Sequence, residues 1–193
     1  MTLALDMSTS TPAEQRFSPE DVLRLENEGL YELVGGQLVE KTMSYLSNKT
    51  AGIISRRLGN HLEDAGIKGD VLPETLFQCF SFDEDKARRP DVAVLLGDRV
   101  PVGAPPTGAL KVRPDIAIEV VSPNDLSYDV EDKLDDYRKA GVPLVWVIYP
   151  HARIVRIHRP DHTVTELTDA DTLTGETILP SFSVEVGRIF TPR

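Results

Sequence analysis

Glu119 lies inside an apolar run, Pro114-Asp115-Ile116-Ala117-Ile118-Glu119-Val120-Val121. A carboxylate in a buried strand is costly unless it is paired or binds a cation. The two-residue period of a strand puts Asp115, Ala117, Glu119 and Val121 on one face and Ile116, Ile118 and Val120 on the other. One face is therefore apolar and the other carries two acids. Asp91 opens a second apolar run directly after Pro90, and Lys133 lies on the helix expected after the strand of Glu119. Two kinds of chemistry suit such a set. The acids can form ion pairs with Lys133 or an arginine, or they can hold a divalent cation through hard oxygen ligands. For Asp91, capping of the preceding loop is a further reading. For Lys133, it is a surface pair with Asp129 one turn earlier. Lys133 and Tyr137 share one helical face, which must also meet the sheet through Leu134 or Tyr137, so Lys133 is expected near the strand end.

The elements that would position these groups can be read from pattern. Ser18-Pro19-Glu20-Asp21 has the form of a helix start, with Ser18 as N-cap, Pro19 at the first helical position and Gly29 as the stop. Tyr31–Val34 and Gln37–Glu40 flank Gly35-Gly36, a two-residue hairpin turn. That register puts Glu32, Val34, Gln37 and Val39 on one face and Tyr31, Leu33, Leu38 and Glu40 on the other. Residues 46–65 read as a helix through Ile53, Ile54, Leu58 and Leu62, closed by Gly66. Residues 71–82 read as a strand, 90–96 as a strand covered on both faces, and 97–113 as a Gly- and Pro-rich loop placed to gate or contact a ligand. A strand over 114–121, a helix over 129–140 stopped by Gly141, and a strand over 144–149 form a βαβ-like unit. An exposed strand near 154–158 and a meander follow. The sum is an α/β (mixed α+β) fold, a mixed sheet flanked by helices, with residues 1–16 as a flexible tail and 17–193 as a single domain.

Composition narrows the function. The 193 residues carry a formal net charge of -10, which argues against broad electrostatic capture of nucleic acid. Bound divalent metal, or a local basic patch at Arg56-Arg57 or Arg88-Arg89, would offset it. No apolar run approaches the roughly 20 residues that cross a bilayer, so no membrane partner is expected. The single cysteine, Cys79, excludes an internal disulfide and a cysteine-rich zinc site and suits a cytoplasmic setting. The four histidines are scattered without ligand spacing, and there is no Walker-type phosphate loop, dinucleotide fingerprint or serine nucleophile elbow.

Four stretches taken together resemble a bacterial restriction endonuclease family of the PD-(D/E)XK nuclease superfamily. They are Tyr-Glu-Leu-Val-Gly-Gly-Gln-Leu-Val-Glu at 31–40, Arg-Pro-Asp-Val-Ala at 89–93, Pro-Asp-Ile-Ala-Ile-Glu-Val-Val-Ser-Pro at 114–123, and Asp-Lys-Leu-Asp-Asp-Tyr-Arg-Lys-Ala-Gly-Val-Pro-Leu-Val-Trp-Val-Ile at 132–148. The resemblance implies that Asp91 is the aspartate of the PD half and Glu119 the acid of the (D/E)XK half. Val121 stands where that half's lysine would fall, and Lys133 matches branches in which the lysine has moved to the following helix. Glu32 and Glu40 match acids of the first hairpin, and either could assist the site. Ser47-Asn48-Lys49 occupies a stretch where the family often has a histidine, and Gln37 a position where an acid is frequent. The implied chemistry is hydrolysis of a DNA phosphodiester with Mg²⁺, or Mn²⁺, held by Asp91, Glu119 and the backbone carbonyl of Val120. Cutting both strands needs two sites, which makes a homodimer the natural assembly. A nuclease-fold binding or scaffold module without turnover is the competing expectation, and a purely structural Glu119–Lys133 pair is a third.

Overall fold

The computed structural model describes residues 15–102, 108–123 and 125–190. A six-stranded mixed sheet forms its centre, in the order β3 (Gly69–Pro73), β4 (Val92–Leu96), β5 (Ile116–Val120), β6 (Leu144–Tyr149), β7 (Ile154–His158) and β8 (Val164–Leu167). Only β5 and β6 are parallel, and the helix α3 (Ser127–Lys139) joins them, as a crossover between parallel neighbours requires. Two hairpins lie outside the sheet, β1 (Tyr31–Val34) with β2 (Gln37–Glu40), and β9 (Thr172–Gly175) with β10 (Leu179–Glu185). The fold is thus a mixed α and β arrangement, as the sequence pattern implies.

The period of two decides what each sheet face packs against. Val92, Val94, Ile116, Ile118, Val120 and Trp146 join a core with Ile54, Leu58 and Leu62 of α2 (Tyr45–Asp64) and with the β9–β10 hairpin. Ala117, Val145 and Val147 face the other way, onto Leu134 and Tyr137 of α3. β4, β5 and β6 are buried almost throughout, so any charged group on them must find a partner inside the protein.

Several boundaries depart from expectation. The first helix, α1 (Pro19–Arg24), has the expected capping box between Ser18 and Asp21 but ends at Leu25, four residues before Gly29; Glu26 just beyond it pairs with Arg89 at 2.8 Å. The strand expected over 71–82 stops at Pro73, because Glu74 adopts a left-handed conformation (φ 48°) that breaks the pleat. Beyond it the chain makes only single bridges, Phe77 with Arg88 and with Leu110. The loop expected to gate the site falls partly on residues 103–107, outside the described residues. Its described flanks are tied down by Arg99–Asp115 and by the Leu110 backbone, and none of them lines the cavity described below. The expected tail also lies outside the described residues, apart from Gln15 and Arg16; the latter pairs with Asp85 at 2.6 Å.

Candidate active site

The antiparallel register of β4 and β5 places Val92 opposite Ile118 and Ala93 opposite Ala117. Continued by one residue, it sets Asp91 opposite Glu119 on the same face of adjacent strands. Directly opposed side chains on one face have Cβ atoms about 4.5–5.5 Å apart. Both acids are buried, at 4% and 5% exposure, and both line a cavity of about 240 Å³ at the end of these strands. The Val120 N–H donates a hydrogen bond to Asp91 Oδ2. That contact ties the β5 backbone to the β4 carboxylate and places Val120 on the cavity wall.

Glu119 is held from α3. Lys133 and Tyr137, one turn apart, both reach it: Tyr137 Oη donates to Oε1 at 2.6 Å and Lys133 Nζ to Oε2 at 3.1 Å. The Asp129–Lys133 surface pair does not form among the described contacts. Lys133 turns inward and also meets Glu32 Oε1 at 3.3 Å. Burial pushes the Glu119 carboxyl above its usual range against the pull of Lys133, and Asp91 beside it acts in the same direction as burial. The Lys133 ammonium is held well above its usual range because Glu119, Glu32 and Asp91 outweigh its burial.

Glu32 and Glu40, the two acids of the first hairpin, part company. Glu32 is only 2% exposed. It accepts from the Arg89 N–H at 2.9 Å and from Arg88 Nη1 at 3.1 Å, as well as facing Lys133. Burial opposes its charge, but Lys133, Arg88 and Lys41 prevail and bring the carboxyl down to about 2. Glu40 is exposed on the cavity rim. The hairpin is docked by Leu33, whose backbone exchanges two hydrogen bonds with Ala87, and this fixes Glu32 over the segment leading into Asp91.

Three groups were not anticipated. Lys41 follows β2 and continues its ladder by donating its N–H to the Leu30 carbonyl. Its ammonium meets Asp91 Oδ1 at 2.6 Å, Glu74 Oε2 at 2.8 Å and the Arg89 carbonyl at 2.7 Å. Strand alternation from Glu32 and its partner Val39 already places Lys41 on the site-facing side, a signal present in the sequence. Glu74, beyond the end of β3, donates its N–H to the Asp91 carbonyl. Its burial, with Asp91 and Glu119 nearby, raises its carboxyl to about 7 despite Lys41. Tyr137 is the third.

Two expected groups lie elsewhere. Asp115 shares the face of Glu119 but sits at the other end of β5, where it binds Arg99 and the Leu96 N–H. Arg88 and Arg89 form no basic patch. Both are buried, Arg88 between Glu32 and Asp136 and Arg89 on Glu26. Buried guanidinium groups need such partners, so this pair cannot serve incoming phosphates. Arg56 and Arg57 are exposed on α2.

The chain matches the Uma2 family, described as "Putative restriction endonuclease", over residues 19–187. It belongs to that family. A crystal structure described as a "putative nuclease", from Anabaena variabilis, superposes with a TM-score of 0.71 and 18% identity, covering 84% of this chain and 90% of that one. At that identity the likeness establishes the fold alone. No curated protein sequence matches significantly.

Of the residues lining the cavity, seven are carboxylates (Glu32, Glu40, Asp91, Glu119, Asp125, Asp129, Asp132) and three are cations (Lys41, Arg88, Lys133). Among the described residues no three acids, histidines or cysteines converge into a ready metal-binding group. The pair Asp91 and Glu119 fits an ion that keeps most of its waters. Mg²⁺ binds in this way, through one or two carboxylates plus water and substrate phosphate. Three of the four carboxylate oxygens of the pair accept one described hydrogen bond each, and the fourth, Asp91 Oδ1, faces the Lys41 ammonium, which leaves each oxygen further lone-pair capacity.

Proposed function

We propose that this protein is a Mg²⁺-dependent endodeoxyribonuclease that hydrolyses phosphodiester bonds, with Mn²⁺ as a competent substitute. The observation that carries the reading is the opposition of Asp91 and Glu119 across β4 and β5 in a cavity with a clear excess of carboxylates. Excess negative charge repels an anionic polymer unless a cation is present, and it attracts that cation. Asp91, Glu119 and the Val120 carbonyl would hold the ion. When bound, it supplies a Lewis acid for the phosphate oxygen and lowers the pKa of a coordinated water.

The protein's own groups do the rest. Tyr137 fixes the rotamer of Glu119 by donating to Oε1, and the Val120 N–H fixes Asp91. Lys133 stays protonated; it donates to Glu119 and forms an ion pair with Glu32. Lys133 also lines the cavity, where its charge can orient the attacking water or stabilise charge on the phosphoryl oxygens. Glu32 keeps Lys133 in place if Glu119 turns towards an ion. Glu40, on the rim, is a peripheral acid in this scheme. Cleavage of both strands calls for a homodimer, and a cytoplasmic setting gives access to DNA.

The test is nicking of supercoiled DNA with Mg²⁺ and with chelator. The wild type should nick only with the ion, and Asp91→Asn and Glu119→Gln should abolish it. Equal activity in all three proteins would sink the proposal. The second reading, a nuclease-fold binding or scaffold module without turnover, is favoured by the protein hydrogen bonds and the Lys41 ion pair already on the oxygens of Asp91 and Glu119. Calorimetry that finds no Mg²⁺ or Mn²⁺ binding at millimolar concentration would decide for it.

A further inference from the structure

Glu74, Asp91 and Glu119 form a row of three carboxylates at the ends of β3, β4 and β5. Two lysines are set into it in the same manner. Lys133 bridges Glu32 and Glu119, at 3.3 and 3.1 Å. Lys41 bridges Asp91 and Glu74, at 2.6 and 2.8 Å. Between the two clamps lies the gap from Asp91 to Glu119, with no lysine in it.

The Lys41 seat differs from the Lys133 seat in one respect. Its ammonium meets three oxygens: it donates to Glu74 Oε2 and to the Arg89 backbone carbonyl and forms an ion pair with Asp91 Oδ1, the two carboxylates flanking the ends of separate strands. Carboxylates and a backbone carbonyl make up the donor set of a hard divalent ion. The lysine side chain is only 8% exposed, so it is built into the structure and not a surface arm that happens to reach. Glu74 is brought to it by a left-handed backbone (φ 48°), a conformation that disfavours a residue with a side chain. Its second oxygen, Oε1, is buried without a described hydrogen-bond partner, which leaves acceptor capacity beyond what one ammonium uses.

We infer that Lys41 is a tethered cation occupying a divalent-ion seat formed by Glu74, Asp91 and the Arg89 carbonyl. Resting on the metal-dependent reading above, this leaves the Asp91–Glu119 gap as the one place where the wild-type protein takes an ion. Lys41 is a positioning residue in this account: it holds Asp91 from the outer side, so the carboxylate presents its remaining lone pairs to the gap.

Counting bound Mn²⁺ by the loss of its free paramagnetic resonance signal tests this, with the thermal midpoint as a second readout. The wild type should bind one ion and Lys41→Met two, the added ion being lost in the double variant Lys41→Met/Glu74→Gln. Glu119→Gln should abolish the wild-type ion, whereas Lys41→Met/Glu119→Gln should keep the added one. One ion in both wild type and Lys41→Met overturns the inference and leaves the metal-dependent reading standing. No ion in the wild type but one in Lys41→Met, lost with Glu74→Gln, upholds the seat and removes the metal-dependent reading. If Lys41→Met unfolds on its own, millimolar Mn²⁺ should restore its fold. Failure to do so overturns the inference, because a genuine seat would be refilled by the ion.

Discussion

Glu32→Gln should remove one acid-sensitive contribution to the stability of this protein. Glu32 is buried and takes a backbone N–H, Arg88 and Lys133 at once. Its carboxyl is lowered from 4.5 to about 2. At about 1.4 kcal/mol per unit, the charged form contributes roughly 3 kcal/mol to the folded state. The sign follows from the direction. A lowered acid stabilises fully above its unfolded value, near pH 4.5, and loses that contribution as pH falls towards 2. Breaking a buried pair costs roughly 3–5 kcal/mol, so the two routes agree. Glutamine keeps the shape and leaves Lys133 and Arg88 with less compensation, as protonation does in the wild type. The variant should therefore be less stable by roughly 3 kcal/mol at pH 7, and the difference should shrink towards zero below pH 3. Urea unfolding at a series of pH values, followed by the fluorescence of Trp146, the single tryptophan and fully buried, reads this directly. A difference that stays constant from pH 7 to pH 3 would refute the assignment of Glu32 as a charged anchor.

Tyr137→Phe keeps the ring in its cluster with Phe80, Ala117 and Val147 but removes the 2.6 Å bond to Glu119; urea midpoints should report a loss of about 1.5–3 kcal/mol, and DNA nicking should slow. Asp115→Asn should cost on the order of 1 kcal/mol, because Arg99 is partly exposed and screened, and calorimetry should find divalent-ion binding unchanged. Burial raises both Glu74, to about 7, and Glu119. A raised acid makes stability fall as pH climbs through that window, so Glu74→Gln should flatten the decline between about pH 4.5 and 7 in thermal melts. DNA affinity should fall only about tenfold or less between 50 and 200 mM salt, as for one or two phosphate contacts; a thousandfold loss would show a basic surface that the buried Arg88 and Arg89 do not provide.

What could be read beforehand, and what could not, follows from the range of each interaction. The faces of β5 obey a local period, so Glu119 could be set apart from Ile118 and Val120 without knowing the fold. The same holds for the helical face that Lys133 shares with Tyr137, one turn apart on α3, though the period does not reveal that Tyr137 reaches Glu119. Asp115 obeys the same period yet lies outside the site, because alternation names a face and not a position along it. Arg88-Arg89 looked like a surface pair because their partners, Glu32, Asp136 and Glu26, are roughly fifty residues or more away in sequence. Lys41 and Glu74 escaped for the same reason. Their meeting depends on how the β1–β2 hairpin docks on residues 85–89 and on the turn that breaks β3.

The row of carboxylates also accounts for the acidity that seemed to oppose a nucleic-acid ligand. A basic cleft would hold the phosphate backbone without regard to metal. Here the cations lining the cavity are already bound to carboxylates, Lys41 to Asp91 and Glu74, Lys133 to Glu119 and Glu32, and Arg88 to Glu32 and Asp136. Such pairs give little to a distant phosphate, because their fields largely cancel beyond a few ångströms and salt screens what is left. Under the proposed function, attraction would come from an ion that enters between Asp91 and Glu119. On the proposed reading, a metal that activates the water would also be the principal group that admits the substrate, so binding and chemistry should be lost together when it is removed.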